Sequence, residues 1–279
     1  MEHHFSPFGE WVNRLLGPVV LPLLEALGIH PHDAAQPIPD HIATQVFLAL
    51  LVVLFALWLR QRLSAEKPGG LQLCFEQILS NSMRVGVHDL LDGIVGHHGR
   101  KYTAVVGTVG LFVLVCNVIS LIPLFNSPTA VHTVPLGCAV FVFLYYNLEG
   151  VTVHGILGYL KHFIGPALAA PWLLWPIMMP LLFVIEVISN LARLLSLTVR
   201  LWVNMVVSEL LYMTFLGLGV LMVVGGWHIN KGLGVAAGIV PLVVPTPFVG
   251  LHIFVAFLQA FVFTLLPIVY IGGAVAEEH

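Results

Sequence analysis

An all-α polytopic membrane protein is the fold class this sequence predicts: about five membrane helices, an interfacial amphipathic helix, and a long tilted C-terminal helical hairpin. Three observations predict it. The 279 residues are 58% hydrophobic and 9% charged, where soluble domains average about 25% charged. The apolar residues fall in long runs, several of about 20 residues or more, enough to cross the ~30 Å hydrocarbon core as helix. Polar side chains inside the last runs recur at helical spacing.

Residues 1–40 form an N-terminal segment placed on the outer face. Pro18, Pro22, Pro31, Pro37 and Pro39 exclude one continuous helix there. The apolar stretch from Leu15 to Ile29 does not read as a cleaved signal, because Glu2 and Glu10 precede it while Pro18, Pro22 and Glu25 interrupt it. The first membrane helix, 41–63, is nearly uncharged and ends in Arg60 and Arg62, with Lys67 just beyond. That basic flank places its end in the cytoplasm.

Over 71–96, Leu71, Phe75, Ile78, Leu79, Val85, Leu90, Leu91 and Ile94 alternate with Glu76, Gln77, Asn81, Arg84, Asp89 and Asp92. This is the pattern of an amphipathic helix, too polar to span and suited to the interface. A transmembrane pair follows at 103–150, its two apolar runs joined by the turn LIPLFNSPT. Arg100 and Lys101 flank it on the inside, which puts the N-terminus outside, Lys161 inside and, after five spans, the C-terminus in the cytoplasm. Residues 171–276 form the hairpin. Its two apolar segments, 171–226 and 235–276, are too long to stand upright, so tilt or breaks at Pro176, Pro180, Pro245 and Pro247 are expected, with GGWHINKGLG as the external turn.

Several functions are excluded early. The net charge is -3 and the 11 Lys and Arg are scattered, so there is no nucleic-acid surface. Cys74, Cys116 and Cys138 are odd in number without a C-x-x-C pair and read as small hydrophobes, not as disulfides or zinc ligands. His3, His4, His97 and His98 read as solvated loop residues. No metal and no cofactor is expected. H-E-x-x-H is absent, a haem would need paired histidines at bilayer depth, and G-x-x-x-x-G-K-[ST] is absent too, so this chain carries no nucleotide-phosphate loop.

The candidate site starts from Arg200, inside the apolar stretch from Glu186 to Glu209. A guanidinium at mid-bilayer costs at least about 2.5–3.5 kcal/mol and does not shed its proton. At 100° per residue, Glu186, Asn190, Arg193, Arg200 and Asn204 share one stripe with Ser196 at its edge. Glu209, nine residues past Arg200, points to nearly the opposite face, roughly 13 Å further along the axis. His252 and Gln259 share a face of the last segment. These groups read as two separate polar routes. The plainer alternative is that Asn, Ser, Gln and His only hold helices together, at about 0.6 kcal/mol per hydrogen bond, and that Glu209 and His252 pair across the hairpin. A secondary transporter also uses broken helices and buried charge, although no inverted repeat is visible.

S-L-x-x-R-L-x-x-N, here Ser196 to Asn204, resembles the signature of subunit a of F-type ATP synthases. Glu209 stands five beyond the Asn, where that family places a polar or acidic residue. LHIFVAFLQAFVFTLLPIVYI resembles its terminal helix, and NVISLIPLFNSPTA resembles its N-x-x-x-L-I-P turn. The resemblance spans roughly Asn117 to the end. Val203 and Ser208 stand where the family often has glycine, and Trp202 where it has Phe. The resemblance implies a non-catalytic stator subunit in an energy-transducing membrane, most simply the bacterial inner membrane. It implies a proteolipid c-ring, peripheral-stalk subunit b and the rest of the complex as partners. Arg200 would be the coupling charge facing the ring carboxylate. Asn204, Glu209, His252 and Gln259 would line an outer half-channel, and Glu186, Asn190 and Ser196 an inner one.

Overall fold

The structure is a computed structural model that describes residues 7–26, 28, 37–64, 68–80, 86–96, 99–122, 125, 127–162, 175–229 and 246–275. Among these residues there are helices and turns but no strands. The helices are α1 (Pro7–Ala26), α2 (Asp40–Arg62), α3 (Gly70–Leu79), α4 (Val87–Ile94), α5 (Thr103–Val118), α6 (Thr133–His162), α7 (Trp175–Ile229) and α8 (Thr246–Val275). Among the described residues five helical segments are long and apolar enough to cross a membrane: Asp40–Arg62, Gly99–Leu121, Thr133–Lys161, Trp175–Gly226 and Thr246–Val275. Their outward residues are apolar, as Leu50, Val53, Leu54 and Leu57 of α2 illustrate, each at least half exposed. Buried positions include Thr44, Asn117, Asn190 and Gln259. An apolar exterior with several polar groups kept inside suits lipid as the surrounding solvent.

The chain forms two compact units. The first comprises residues 1–61, 111–131 and 202–260. Its core holds Leu48, Val113, Cys116, Met205 and Ala256. Here α1 docks through a seam of small and polar residues. Buried Asn13 donates to the Gly9 and Ile38 carbonyls at 3.0 and 2.9 Å and accepts from the Ile38 N–H at 3.0 Å. Phe8 adds ring contacts to Phe47 and Phe125. The second unit comprises residues 62–110, 132–201 and 261–279. Tyr102, Tyr146, Leu197, Leu201, Phe263, Ile268 and Ile271 are its largest buried side chains together with Leu91 and Val106.

The structure corrects or refines the sequence reading in four places. The single amphipathic helix expected over 71–96 is two helices, because Ser80 turns extended (φ -148°, ψ 119°) and Gly86 is extended again (φ -63°, ψ 156°). A Cβ on Gly86 would lie 2.6 Å from the Leu79 carbonyl oxygen, so the close approach of the two segments requires glycine. Secondly, α7 runs through Pro180 without ending. An interior proline forfeits one hydrogen bond and crowds the preceding turn, and a membrane helix tolerates that where neighbouring groups compensate. Pro176 and Pro247 fall in the first turns of α7 and α8, where an N–H has no helical partner anyway. Pro245 and part of the external turn lie outside the described residues. Thirdly, α1 runs through Pro18 and Pro22 as a 20-residue helix, although it ends at Ala26, so that residues 1–40 are not one continuous helix, as expected. Fourthly, α6 continues past residue 150 to His162 with a sharp kink at Gly155, whose φ of 71° is open to glycine at little cost.

Candidate functional site

The first unit contains a polar cluster centred on His252, which α8 places in a buried position, 4% exposed. Its Nδ1 lies 3.0 Å from Ser208 Oγ on α7. Its Nε2 lies 2.9 Å from Ser120 Oγ and 3.2 Å from the Asn117 carbonyl oxygen, at the end of α5. Asn117 is itself anchored, since Thr129 Oγ1 donates to its Oδ1 at 2.7 Å and bonds Ser127 at 2.9 Å. The N-x-x-x-L-I-P turn therefore closes on itself and presents a carbonyl to the histidine ring. Trp202 ties α7 to the same turn by donating from Nε1 to the Ala130 carbonyl at 2.9 Å.

Glu209 is half-buried and borders two spaces. One is a cavity of about 110 Å³ lined by Ser120, Leu121, Glu209, Met213, Val249 and His252. The other is an open groove of about 590 Å³ lined by Ala130, Val206, Glu209, Leu210, Met213 and Thr214. Gln259, two turns beyond His252 on α8, is 1% exposed, and Asn204 on α7 is half-buried. The first unit thus gathers a carboxyl, an imidazole, two hydroxyls and an open groove, the elements of a proton relay.

The second unit holds a separate cluster. Asn190, 6% exposed, accepts a hydrogen bond from the Tyr146 hydroxyl and donates to Asn147 Oδ1 at 3.1 Å. Tyr159 donates to the same oxygen at 2.9 Å. The Gly155 kink turns the end of α6 so that the Tyr159 ring lies against Gly150, where a Cβ would collide with it. Glu186 pairs with Arg193 at 3.5 Å, two turns apart on α7, and the Arg193 guanidinium stands 5.6 Å from the Tyr270 ring centroid. Ser196 and Arg200 are both exposed, with Arg200 Nη2 donating to Ser196 Oγ at 3.4 Å. Elsewhere in this unit Lys101 pairs with Glu149 at 3.3 Å, and Tyr102 donates to the same carboxylate oxygen at 3.1 Å.

Glu209 and His252 meet at one cavity, while Glu186, Asn190 and Arg193 sit in another network. The sequence reading missed Ser120 and Ser208 as ring partners, and Tyr146, Asn147 and Tyr159 as partners of Asn190. Among the described residues no three His, Cys, Asp or Glu side chains converge as a metal site would need; His97 and His98 lie outside them.

The family profile described as ATP synthase A chain matches residues 42–272. The chain is 40% identical over 246 residues to an ATP synthase subunit a of Solibacter usitatus, covering 88% of this chain and 91% of the relative. It is 37% identical over 273 residues to an ATP synthase subunit a of Koribacter versatilis, covering 98% and 97%. An ATP synthase subunit a 3 of Pelobacter propionicus is 37% identical over 279 residues, the full length of both chains. With five apolar helices and relatives matched end to end, this multi-pass membrane protein belongs to the ATP synthase A chain family.

Proposed function

We propose that the chain provides two offset proton half-channels and the stator charge that couple proton flow to rotation of a proteolipid c-ring, with ATP made on other subunits. The observation that carries this reading is that the two polar clusters share no residue, one belonging to each compact unit. Along α7, Arg200 falls between Asn190 and Arg193 of one cluster and Ser208 and Glu209 of the other. A continuous polar path would leak protons. Two dead-ended paths force each proton onto a mobile carrier, and a ring carboxyl is that carrier.

Asn204, Glu209, His252 and Gln259 line the outer path, and Glu186, Asn190 and Ser196 the inner one. Arg200 opposes the ring carboxyl. A fixed cation favours the ionised carboxylate beside it, so the proton leaves to one path before the carboxyl passes and returns from the other afterwards. Arginine suits this work because lysine loses its charge readily when desolvated. Each proton gains about 2.3 kcal/mol per 100 mV, so rotation must gather several per ATP. Subunit b and the rest of the complex hold the chain against the turning ring. In a bacterial inner membrane the N-terminus lies outside and the C-terminus in the cytoplasm.

The test is ATP-driven acidification of inverted vesicles carrying the whole complex. Arg200→Ala is expected to abolish acidification while the complex remains assembled. Acidification at the native rate would overturn the coupling role.

A further inference from the structure

We infer that Ser208 is a positioning residue for proton exchange at His252, and that Nδ1 is the ring nitrogen that gains and loses the proton. This rests on the outer-path reading above. The partners of the two nitrogens differ in kind. Nε2 faces the Asn117 carbonyl oxygen at 3.2 Å, which can only accept, and Ser120 Oγ at 2.9 Å, whose own proton is donated to that carbonyl at 2.9 Å. Both partners want a donor, so Nε2 keeps its hydrogen whether the ring is neutral or charged.

Nδ1 faces only one partner in this set, Ser208 Oγ at 3.0 Å. Ser208 has a second acceptor for its single proton, the Met205 carbonyl oxygen, also at 3.0 Å. When the ring is neutral, the hydroxyl proton turns toward Nδ1. When Nδ1 is protonated, its N–H donates to Ser208 Oγ and the hydroxyl proton turns back to Met205. Ser208 is 5% exposed and His252 4%, so an unmade hydrogen bond here would carry a full desolvation penalty. Rotation of one hydroxyl satisfies both forms without moving a heavy atom.

The transfer balances as follows. The Nδ1–H bond breaks and an O–H bond forms at the Glu209 carboxylate, reached through the cavity that both side chains line, while the Ser208 hydroxyl turns from the Met205 carbonyl to donate to the vacated Nδ1 lone pair. Glu209 is the acidic side chain lining the cavity with His252. The histidine ends neutral, the serine unchanged and the carboxyl protonated.

The experiment uses vesicles bearing the membrane sector with the catalytic sector stripped off, and reads passive proton influx under an imposed potassium diffusion potential. Ser208→Thr and Ser208→Val differ by a hydroxyl against a methyl at almost equal volume, with His252→Ala as the reference. Threonine is expected to conduct within about twofold of native and valine about tenfold or more slower, the loss typical of a hydrogen bond to a charged group. If the β-branched pair fails to assemble, Ser208→Cys against Ser208→Ala poses the same contrast, the thiol being expected to conduct faster than the methyl. Threonine and valine conducting alike while His252→Ala is slow would overturn the role of Ser208 and leave the outer path standing. Native-rate conduction by His252→Ala would overturn the outer path itself.

Discussion

Substituting Asn190 with leucine separates a proton path from mere helix glue. The side chain is 6% exposed, accepts from the Tyr146 hydroxyl and donates to Asn147 at 3.1 Å. Leucine fills a similar volume and removes both bonds. At about 0.6 kcal/mol each in a membrane setting the bonds account for only ~1 kcal/mol. Leaving the buried Tyr146 hydroxyl without Asn190 costs more, about 1–3 kcal/mol. Asn190→Leu should therefore destabilise the subunit by about 1.5–3.5 kcal/mol, the stranded hydroxyl plus the lost Asn147 bond, read as earlier thermal loss of the detergent-solubilised complex. The double variant Tyr146→Phe, Asn190→Leu removes both partners, and most of that stability should return. Proton conduction through the stripped membrane sector should stay low in both variants, because the polar group itself is gone. If the double variant regains conduction together with stability, Asn190 is glue and the inner path runs elsewhere.

Two further outcomes follow from the geometry. Glu209→Gln keeps the shape of the cavity shared with His252 but cannot take up a proton; ATP-driven acidification should fall at least tenfold while ATP hydrolysis by the detached catalytic sector is unchanged. Gly155→Ala forces an alanine into φ 71°, ψ 166°, a region almost reserved for glycine, at about 1–3 kcal/mol; thermal denaturation of the complex should shift downward, and the inner path should conduct more slowly as Tyr159 leaves Asn147.

Where hydrophobic runs and rare charges carry the information, the sequence was readable. The five apolar segments follow from composition, and the structure has helices at each of those runs. What escaped depended on contacts between distant segments. Tyr146 and Asn147 end an apolar run without a periodic signature, and only the tertiary fold brings them to Asn190, 43 or 44 residues on. Ser208 was visible as a departure from a common glycine, but its partner lies 44 residues away. The break between α3 and α4 escaped for a different reason. Amphipathic periodicity survives an interruption, and the close approach that demands Gly86 is a property of the folded backbone.

The exposed face of α7 links these particulars to the proposed ring. Ile185, Ile188, Leu191, Leu195, Val199, Trp202, Val203, Val207 and Leu210 are all exposed, between 37% and 63%, and Arg200 is exposed among them. Lipid alone would suit the aliphatic residues, but placing the guanidinium in it would cost at least about 2.5–3.5 kcal/mol. A carboxylate beside the guanidinium would offer a charge-assisted bond roughly twice as strong as one to a neutral hydroxyl such as that of Ser196, at 3.4 Å. A helical partner presenting apolar side chains around one carboxyl satisfies both requirements at once, and a fixed partner would lock the ion pair for good. On the proposed function, a partner that slides past would make and break the pair once per carboxyl, and an exposed arginine in an apolar face would then act as a coupling device and not as a structural salt bridge.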